Sequence, residues 1–234
     1  MKVDVALLPI NLEQVDITDK ICIILDVFRA TTSIVTAMSN GCKNIFPVSS
    51  LDIAKALGKQ ISPALFAGER QSVKIAGFDF GNSPLEFTPE AVRDKSIIMT
   101  TSNGTIAIEA TKTAKTSLIG SFINAKAVCQ QAVSWRKDII IVCAGTDRQF
   151  SLEDAVCAGA LVDNLSDTHM RSDSAIATYL MYKSASENLK EFVSQSKNGK
   201  RLLELGYLDD LNYCLQKDLC DVVPVYRAGK ISVF

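Results

Sequence analysis

The residues best suited to chemistry in this chain are carboxylates and arginines set in three short loops rich in glycine and hydroxyl side chains. The first loop reads Asp26-Val27-Phe28-Arg29-Ala30-Thr31-Thr32-Ser33 and the second Thr100-Thr101-Ser102-Asn103-Gly104-Thr105. The third reads Ala144-Gly145-Thr146-Asp147-Arg148 and leads into Ser151-Leu152-Glu153-Asp154. An aspartate such as Asp26, ending an apolar run, offers oxygen ligands to a hard metal ion. Arg29 beside it presents a planar five-donor fork that matches phosphate or sulfonate. The same Asp26 is equally suited to capping the helix expected near Thr31. Glu153 and Asp154 supply two further ligands opposite Asp26, although Ser151 to Asp154 also has the form of a capping box.

Ser102-Asn103-Gly104-Thr105 reads as an anion cradle. N–H groups at the first turn of a helix bind phosphate or sulfonate, and Gly104 lets the chain turn sharply and a ligand approach the backbone. An ordinary Asn-Gly turn accounts for the same residues. Gly68-Glu69-Arg70 adds an acid and a second guanidinium, and Gly77-Phe78-Asp79-Phe80-Gly81-Asn82-Ser83-Pro84 is a long loop of the kind that serves function in a compact domain.

Other chemistries are poorly supplied. The chain has one histidine, His169, in a polar stretch expected to be exposed, so a histidine-rich zinc site or a Ser-His-Asp triad is not supported. Cys143 to Arg148 is one residue short of the C-x5-R loop of cysteine phosphatases, and Cys22 to Arg29 is one too long. Both cysteines fall at strand positions that favour a small buried hydrophobe. No G-x-x-x-x-G-K-[ST] loop is present, and Asp26 lacks the second aspartate that a dehalogenase-type phosphatase needs.

The elements that must position these loops are legible as alternating runs. Apolar, β-branched segments predict strands over 3–8, 21–25, 44–48, 65–67, 97–101, 116–119, 139–143 and 222–226. Several are apolar on both faces, as in central strands covered by helices on either side. Helical periodicity predicts helices over 31–39, 51–59, 89–93, 104–113, 124–135, 152–164 and 174–186, with two or three more before Cys220. The order implies a three-layer α/β/α fold around a largely parallel or mixed central sheet, in one domain spanning 1–234. In such sheets ligands sit beyond the carboxyl ends of strands, where the three loops fall. The mostly helical stretch 172–216 reads as an excursion from the sheet.

Composition narrows the function. With 47% hydrophobic and 22% charged residues over 234 positions, the chain can bury a large core. The net charge of -1, with scattered lysines and arginines, gives no footprint for nucleic acid. No apolar run reaches the roughly 20 residues needed to cross a bilayer, and the N-terminal stretch has acids where a signal peptide needs apolar residues. Seven cysteines without a C-x-x-C pair suit reduced thiols, so a cytoplasmic location is expected. The sequence leaves the oligomeric state open, a homo-oligomer included.

Taken together, Asp26 to Ser33, Gly68-Glu69-Arg70, Gly77 to Pro84, Thr100 to Thr105, Ser121-Phe122-Ile123-Asn124-Ala125, Cys143-Ala144-Gly145 and Glu153-Asp154 resemble the 2-phosphosulfolactate phosphatase family, in order and over nearly the full length. The resemblance implies a Mg²⁺-dependent phosphatase that converts (2R)-2-phospho-3-sulfolactate to sulfolactate on the route to coenzyme M. It also implies an α/β/α fold distinct from that of the dehalogenase-type phosphatases.

From the residues themselves, Asp26, Glu153 and Asp154 are expected to hold Mg²⁺ against the phosphoryl oxygens, and Arg29 to stabilise the transferring group. Arg70 and Ser102, Asn103, Gly104 and Thr105 are expected to receive the substrate's sulfonate or carboxylate. Glu69 is the candidate for handling the proton of the attacking water, with a covalent phosphate on Asp26 as a variant. A non-catalytic module for small organic anions, or a lyase or isomerase acting on a phosphorylated hydroxy acid, are the alternatives. The clustered acids favour the enzyme, because an anion receptor gains nothing from carboxylates near its ligand unless a cation lies between them.

Overall fold

The computed structural model describes residues 1–61, 63–165 and 170–233; His169 lies outside the described residues. The strands are β1 (Lys2–Ala6), β2 (Ile21–Leu25), β3 (Asn44–Pro47), β4 (Ala64–Arg70), β5 (Val73–Lys74), β6 (Ser96–Thr100), β7 (Thr116–Ile119), β8 (Ile139–Cys143), β9 (Met170–Arg171), β10 (Val225–Arg227) and β11 (Lys230–Ser232). The helices are α1 (Ala30–Ser39), α2 (Leu51–Gly58), α3 (Pro89–Val92), α4 (Gly104–Ala110), α5 (Ala125–Ser134), α6 (Leu152–Asn164), α7 (Asp173–Ala185), α8 (Leu189–Ser194), α9 (Lys197–Glu204) and α10 (Leu208–Cys214). Ser50, Thr88, Ser151, Ser172 and Ser196 each accept a first-turn N–H and so fix where α2, α3, α6, α7 and α9 begin.

The strands form one sheet, ordered β5-β4-β6-β3-β11-β10-β7-β2-β8-β1-β9. It is largely parallel, with helices on both sides, as the three-layer expectation requires. β2 shows why: Ile21, Ile23 and Leu25 pack with α5 and α6, while Ile24 packs with α1 and α4 on the opposite face. A strand buried on both faces must be apolar at every position, and ICIIL is. Within the described residues no helix is long and apolar enough to cross a membrane, and all seven cysteines are free.

The sheet departs from a simple parallel one at its centre. β10 and β11 form a hairpin, and β7-β10, β10-β11 and β11-β3 are all antiparallel. The parallel group β4-β6-β3 therefore runs in the opposite sense to the group β7-β2-β8-β1-β9. In a flat sheet, β2 and β6, five steps apart, would be separated by roughly 24 Å at about 4.8 Å per step. Instead a Cβ placed on Gly104, just beyond β6, would lie 2.8 Å from the Asp26 carboxylate, just beyond β2. The sheet is thus folded back on itself, and loops from its two halves meet.

Candidate active site

Four carboxylates are buried where those loops converge: Asp26 after β2, Glu69 near the end of β4, and Glu153 and Asp154 in the first turn of α6. Burial raises the pKa of Asp26 well above the ordinary carboxylate range, and Asp154, Glu69 and Glu153 push it further, against a hydrogen bond from the Gly104 amide. Asp154 is raised in the same way by burial and Glu153. Buried acids that repel one another require a proton or a cation among them.

Each loop is locked by its own polar side chains. Thr32 Oγ1 donates to the Val27 carbonyl at 3.0 Å, Ser33 Oγ donates to the Asn82 carbonyl at 2.8 Å, and the Asp26 amide donates to Thr31 Oγ1 at 3.0 Å. The hydroxyls that make the first loop conspicuous in the sequence therefore hold its shape. Asp154 joins two loops: its oxygens accept the amides of Val27 at 2.9 Å and Gly145 at 3.1 Å. Asp154 thus clamps the loop after β2 to the loop after β8. Glu153 is different, because its Oε2 is buried without any partner.

The expected anion cradle is filled from within. The Ser102 amide donates to Glu69 Oε1 at 2.8 Å, the Gly104 amide to Asp26, and the Thr105 amide to Thr101 Oγ1 at 3.2 Å. The turn was expected to present these donors to a ligand; it spends them on the protein's own carboxylates and threonine. Gly104 also lies within α4 rather than in a left-handed turn, so its lack of a side chain serves close approach to Asp26 and Ala30. Arg70 also finds its partners within the protein. Its guanidinium turns back onto β6, donating to the Glu69 carbonyl at 2.7 Å and to Thr100 Oγ1 at 3.0 Å.

A narrow cleft of about 40 Å³ opens beside the acids. Asp26, Arg29, Glu69, Ser102 and Asn103 line it, whereas Arg70, Gly104, Thr105, Glu153 and Asp154 do not. Sequence reading missed Gln71, Asn198 and Arg201, which also line it. A larger cavity of about 680 Å³ lies across Asn103, but its walls are mainly aliphatic, with Glu13 and Arg148 its charged residues. Asp26, Arg29 and Glu69 line only the smaller cleft.

Arg29 is 2% exposed and firmly held. Its Nη1 donates to Asp210 Oδ2 at 2.9 Å and its Nη2 to the Ser72 carbonyl at 2.6 Å, while its Cζ stands 4.3 Å over the Tyr207 ring. Asp210 comes from α10, inside the helical stretch that reads as an excursion. Glu69 Oε2 accepts the Ser72 amide at 2.7 Å, so Glu69 and Arg29 together pin the β4-β5 turn over the cleft.

Cys143 is poorly suited to thiol chemistry. It is buried, and burial together with Asp154 and Glu153 pushes its thiol far above the ordinary value.

A model of the 2-phosphosulpholactate phosphatase family matches residues 7–229. The chain belongs to this family. A relative from Clostridium acetobutylicum is 39% identical over 235 residues, covering 99% of this chain and 100% of the relative. One from Clostridium novyi is 39% identical over 236 residues, covering 99% and 100%. One from Carboxydothermus hydrogenoformans is 40% identical over 225 residues, covering 96% and 92%. All three carry the name "Probable 2-phosphosulfolactate phosphatase". The 2-phosphosulpholactate phosphatases are phosphoric monoester hydrolases.

Among the described residues of this phosphatase, no group of three or more His, Cys, Asp or Glu side chains is arranged to hold a metal ion alone. The donors still fit Mg²⁺, which commonly takes one or two protein carboxylates and completes its octahedron with water and substrate phosphate. Asp26, under repulsion from three acids, and Glu153, with a partnerless buried oxygen, are the residues suited to it.

Gly104→Ala tests how tightly Asp26 is held. The added Cβ would stand 2.8 Å from Asp26 Oδ2 and 3.0 Å from Ala30 Cβ. Overpacking of this kind costs about 1–3 kcal/mol, and a displacement of about 1 Å at a reacting centre costs on the order of 10²-fold in rate. The expected result is a folded variant with a modestly lower melting temperature and a much lower kcat. Unchanged kcat would show that the Asp26 carboxylate needs no such fixed position.

Proposed function

We propose that this chain hydrolyses (2R)-2-phospho-3-sulfolactate to sulfolactate and inorganic phosphate in a Mg²⁺-dependent reaction. The observation that carries this reading is a cleft lined by two arginines and the buried carboxylates of Asp26 and Glu69, with Glu153 and Asp154 buried behind Asp26, in a chain matched to its family over residues 7–229. Asp26 and Glu153 would hold the metal, with Asp154 fixing the two loops behind them. When bound, Mg²⁺ neutralises phosphoryl charge and makes a coordinated water more acidic.

The chain's own residues do the rest. Arg29 has five N–H donors, of which Asp210 and Ser72 take two. The remaining donors are available to the transferring phosphoryl group, and the buried ion pair gives them a fixed position. Glu69 lines the cleft with its carboxylate held by two backbone amides, where it orients the attacking water and takes its proton. Ser102 and Asn103 add polar contacts to the cleft wall.

The test is phosphate release from 2-phosphosulfolactate, 2-phospholactate and 3-phosphoglycerate after chelation and after Mg²⁺ is restored. Release from phosphosulfolactate is expected to vanish with the chelator and to return with Mg²⁺. Alkylating accessible thiols should leave it largely intact, because six of the seven cysteines are buried. Full activity in metal-free buffer would remove the metal, and no release from any of the three esters would remove the function.

A further inference from the structure

We propose that Arg201 receives the substrate's distal anionic group, the sulfonate of phosphosulfolactate, and so sets the preference of this phosphatase for a sulfonated ester. This rests on the function proposed above and assigns a residue to a part of the substrate that the phosphoryl chemistry does not use.

The argument begins with the charges that line the cleft: Asp26, Glu69 and Asp147 against Arg29 and Arg201. Two of the five are satisfied by ion pairs: Arg29 with Asp210 at 2.9 Å, and Asp147 with Lys197 at 2.7 Å. Arg70, the other guanidinium expected to meet the substrate, is turned away onto Thr100. That leaves Asp26 and Glu69 on one side and Arg201 on the other. Arg201 makes no ion pair within 4 Å among the described residues.

A substrate with a phosphate, a carboxylate and a sulfonate can place only its phosphoryl end against the acids, where a cation screens it. A sulfonate there would meet unscreened carboxylates. It requires a donor elsewhere in the cleft, and the Arg201 guanidinium, which shares the neighbourhood of Asp147 but makes no ion pair among the described residues, supplies several N–H groups in one plane.

The local helix directs Arg201 to this task. Asn198 and Arg201 are three residues apart on α9 and so share a face. Asn198 Nδ2 donates to the Phe28 carbonyl at 3.0 Å, which turns that face toward the loop bearing Arg29. Leu202, the next residue, is fully buried in the core, and a Cβ on Gly199 would lie 2.6 Å from the Val193 carbonyl oxygen. The helix is therefore seated closely against α8, and its orientation over the cleft is set by packing.

The test compares Arg201→Met and Arg201→Lys with the wild type on 2-phosphosulfolactate and on 2-phospholactate, which lacks the sulfonate. Losing one charge-assisted contact should raise KM for phosphosulfolactate by about 10- to 10²-fold while kcat stays within about threefold. KM for phospholactate should not move, and lysine should recover part of the loss. Equal KM shifts on the two esters, or a fall in kcat on both, would overturn the assignment in favour of a carboxylate, phosphoryl or structural role.

Calorimetric titration of sulfolactate and lactate reads the same contact without turnover. Wild type should bind sulfolactate at least about tenfold more tightly than lactate, and Arg201→Met should lose that difference. If the wild type turns over no ester yet shows the Arg201-dependent difference, the proposed reaction fails and this assignment stands. If it hydrolyses phosphosulfolactate and the variants match it in KM and binding, the assignment fails alone.

Discussion

Asp26→Asn is expected to lower turnover by at least about 10²-fold while leaving the melting temperature unchanged or higher. The two effects have one source. Asp26 is buried beside Asp154, Glu69 and Glu153, whose charges and whose shared desolvation disfavour its ionised form. Asparagine keeps the shape and can still accept the Gly104 amide, but it removes one charge from that group. Folding then loses a repulsion, whereas a metal-assisted reaction loses a ligand. A residue that only capped α1 would behave the other way, with near-normal turnover and about 1 kcal/mol less stability. Wild type should also gain thermal stability from Mg²⁺, since binding only the folded state shifts the equilibrium by mass action. The variant should gain markedly less. Normal kinetics in Asp26→Asn would displace the reaction centre from this cleft.

Arg29→Ala is expected to cost about 3–5 kcal/mol of unfolding free energy, the range found when one member of a buried ion pair is removed. The side chains of Arg29 and Asp210 are 3% and 5% exposed. With alanine at 29, Asp210 would keep only the Ser83 hydroxyl, at 2.6 Å, as partner for a buried charge. The Ser72 carbonyl and the Tyr207 ring would lose their contacts as well. The double variant Arg29→Met, Asp210→Asn leaves no stranded charge and should recover much of the stability without recovering turnover. Urea unfolding separates these outcomes through the shift in midpoint at constant slope. A cost below about 1 kcal/mol for Arg29→Ala would mean that Asp210 finds water or another partner.

These two residues also mark what the sequence could and could not convey. Asp26 stands out because it ends the apolar run ICIIL, where side chains leave the sheet for a loop. Glu153 and Asp154 stand out because they open a helix. Such features are local, and so are the core strands, whose β-branched runs match β2, β6, β7 and β8 to within a residue. Asp210 was not found because its importance depends on Arg29, far away in the chain. A local hint existed: Asp210 shares a face with Cys214, one turn on, and adjoins Leu211, and both of those are fully buried.

The cradle at residues 102–105 was legible as a set of donors. Its acceptors were not, because Glu69 reaches it through the pairing of β4 with β6 and Asp26 only through the folding back of the sheet. The short strands β5, β9 and β11, of two or three residues each, carry too few positions for a period-two pattern to register.

The hairpin of β10 and β11 has a consequence for how the molecule is made. It supplies no residue to the cleft, yet it splices the half-sheet that carries Asp26 to the half-sheet that carries Glu69 and Ser102. A ribosome releases both walls well before it releases the splice. Until residues 225–232 emerge, β7 and β3 are bare edges with unpaired amides and carbonyls, open to pairing with the wrong strand. The two walls of the cleft are joined through the sheet only when residues 225–232 dock between β7 and β3. A chain cut before residue 225 would contain every residue of the cleft but lack the strands that join its two walls.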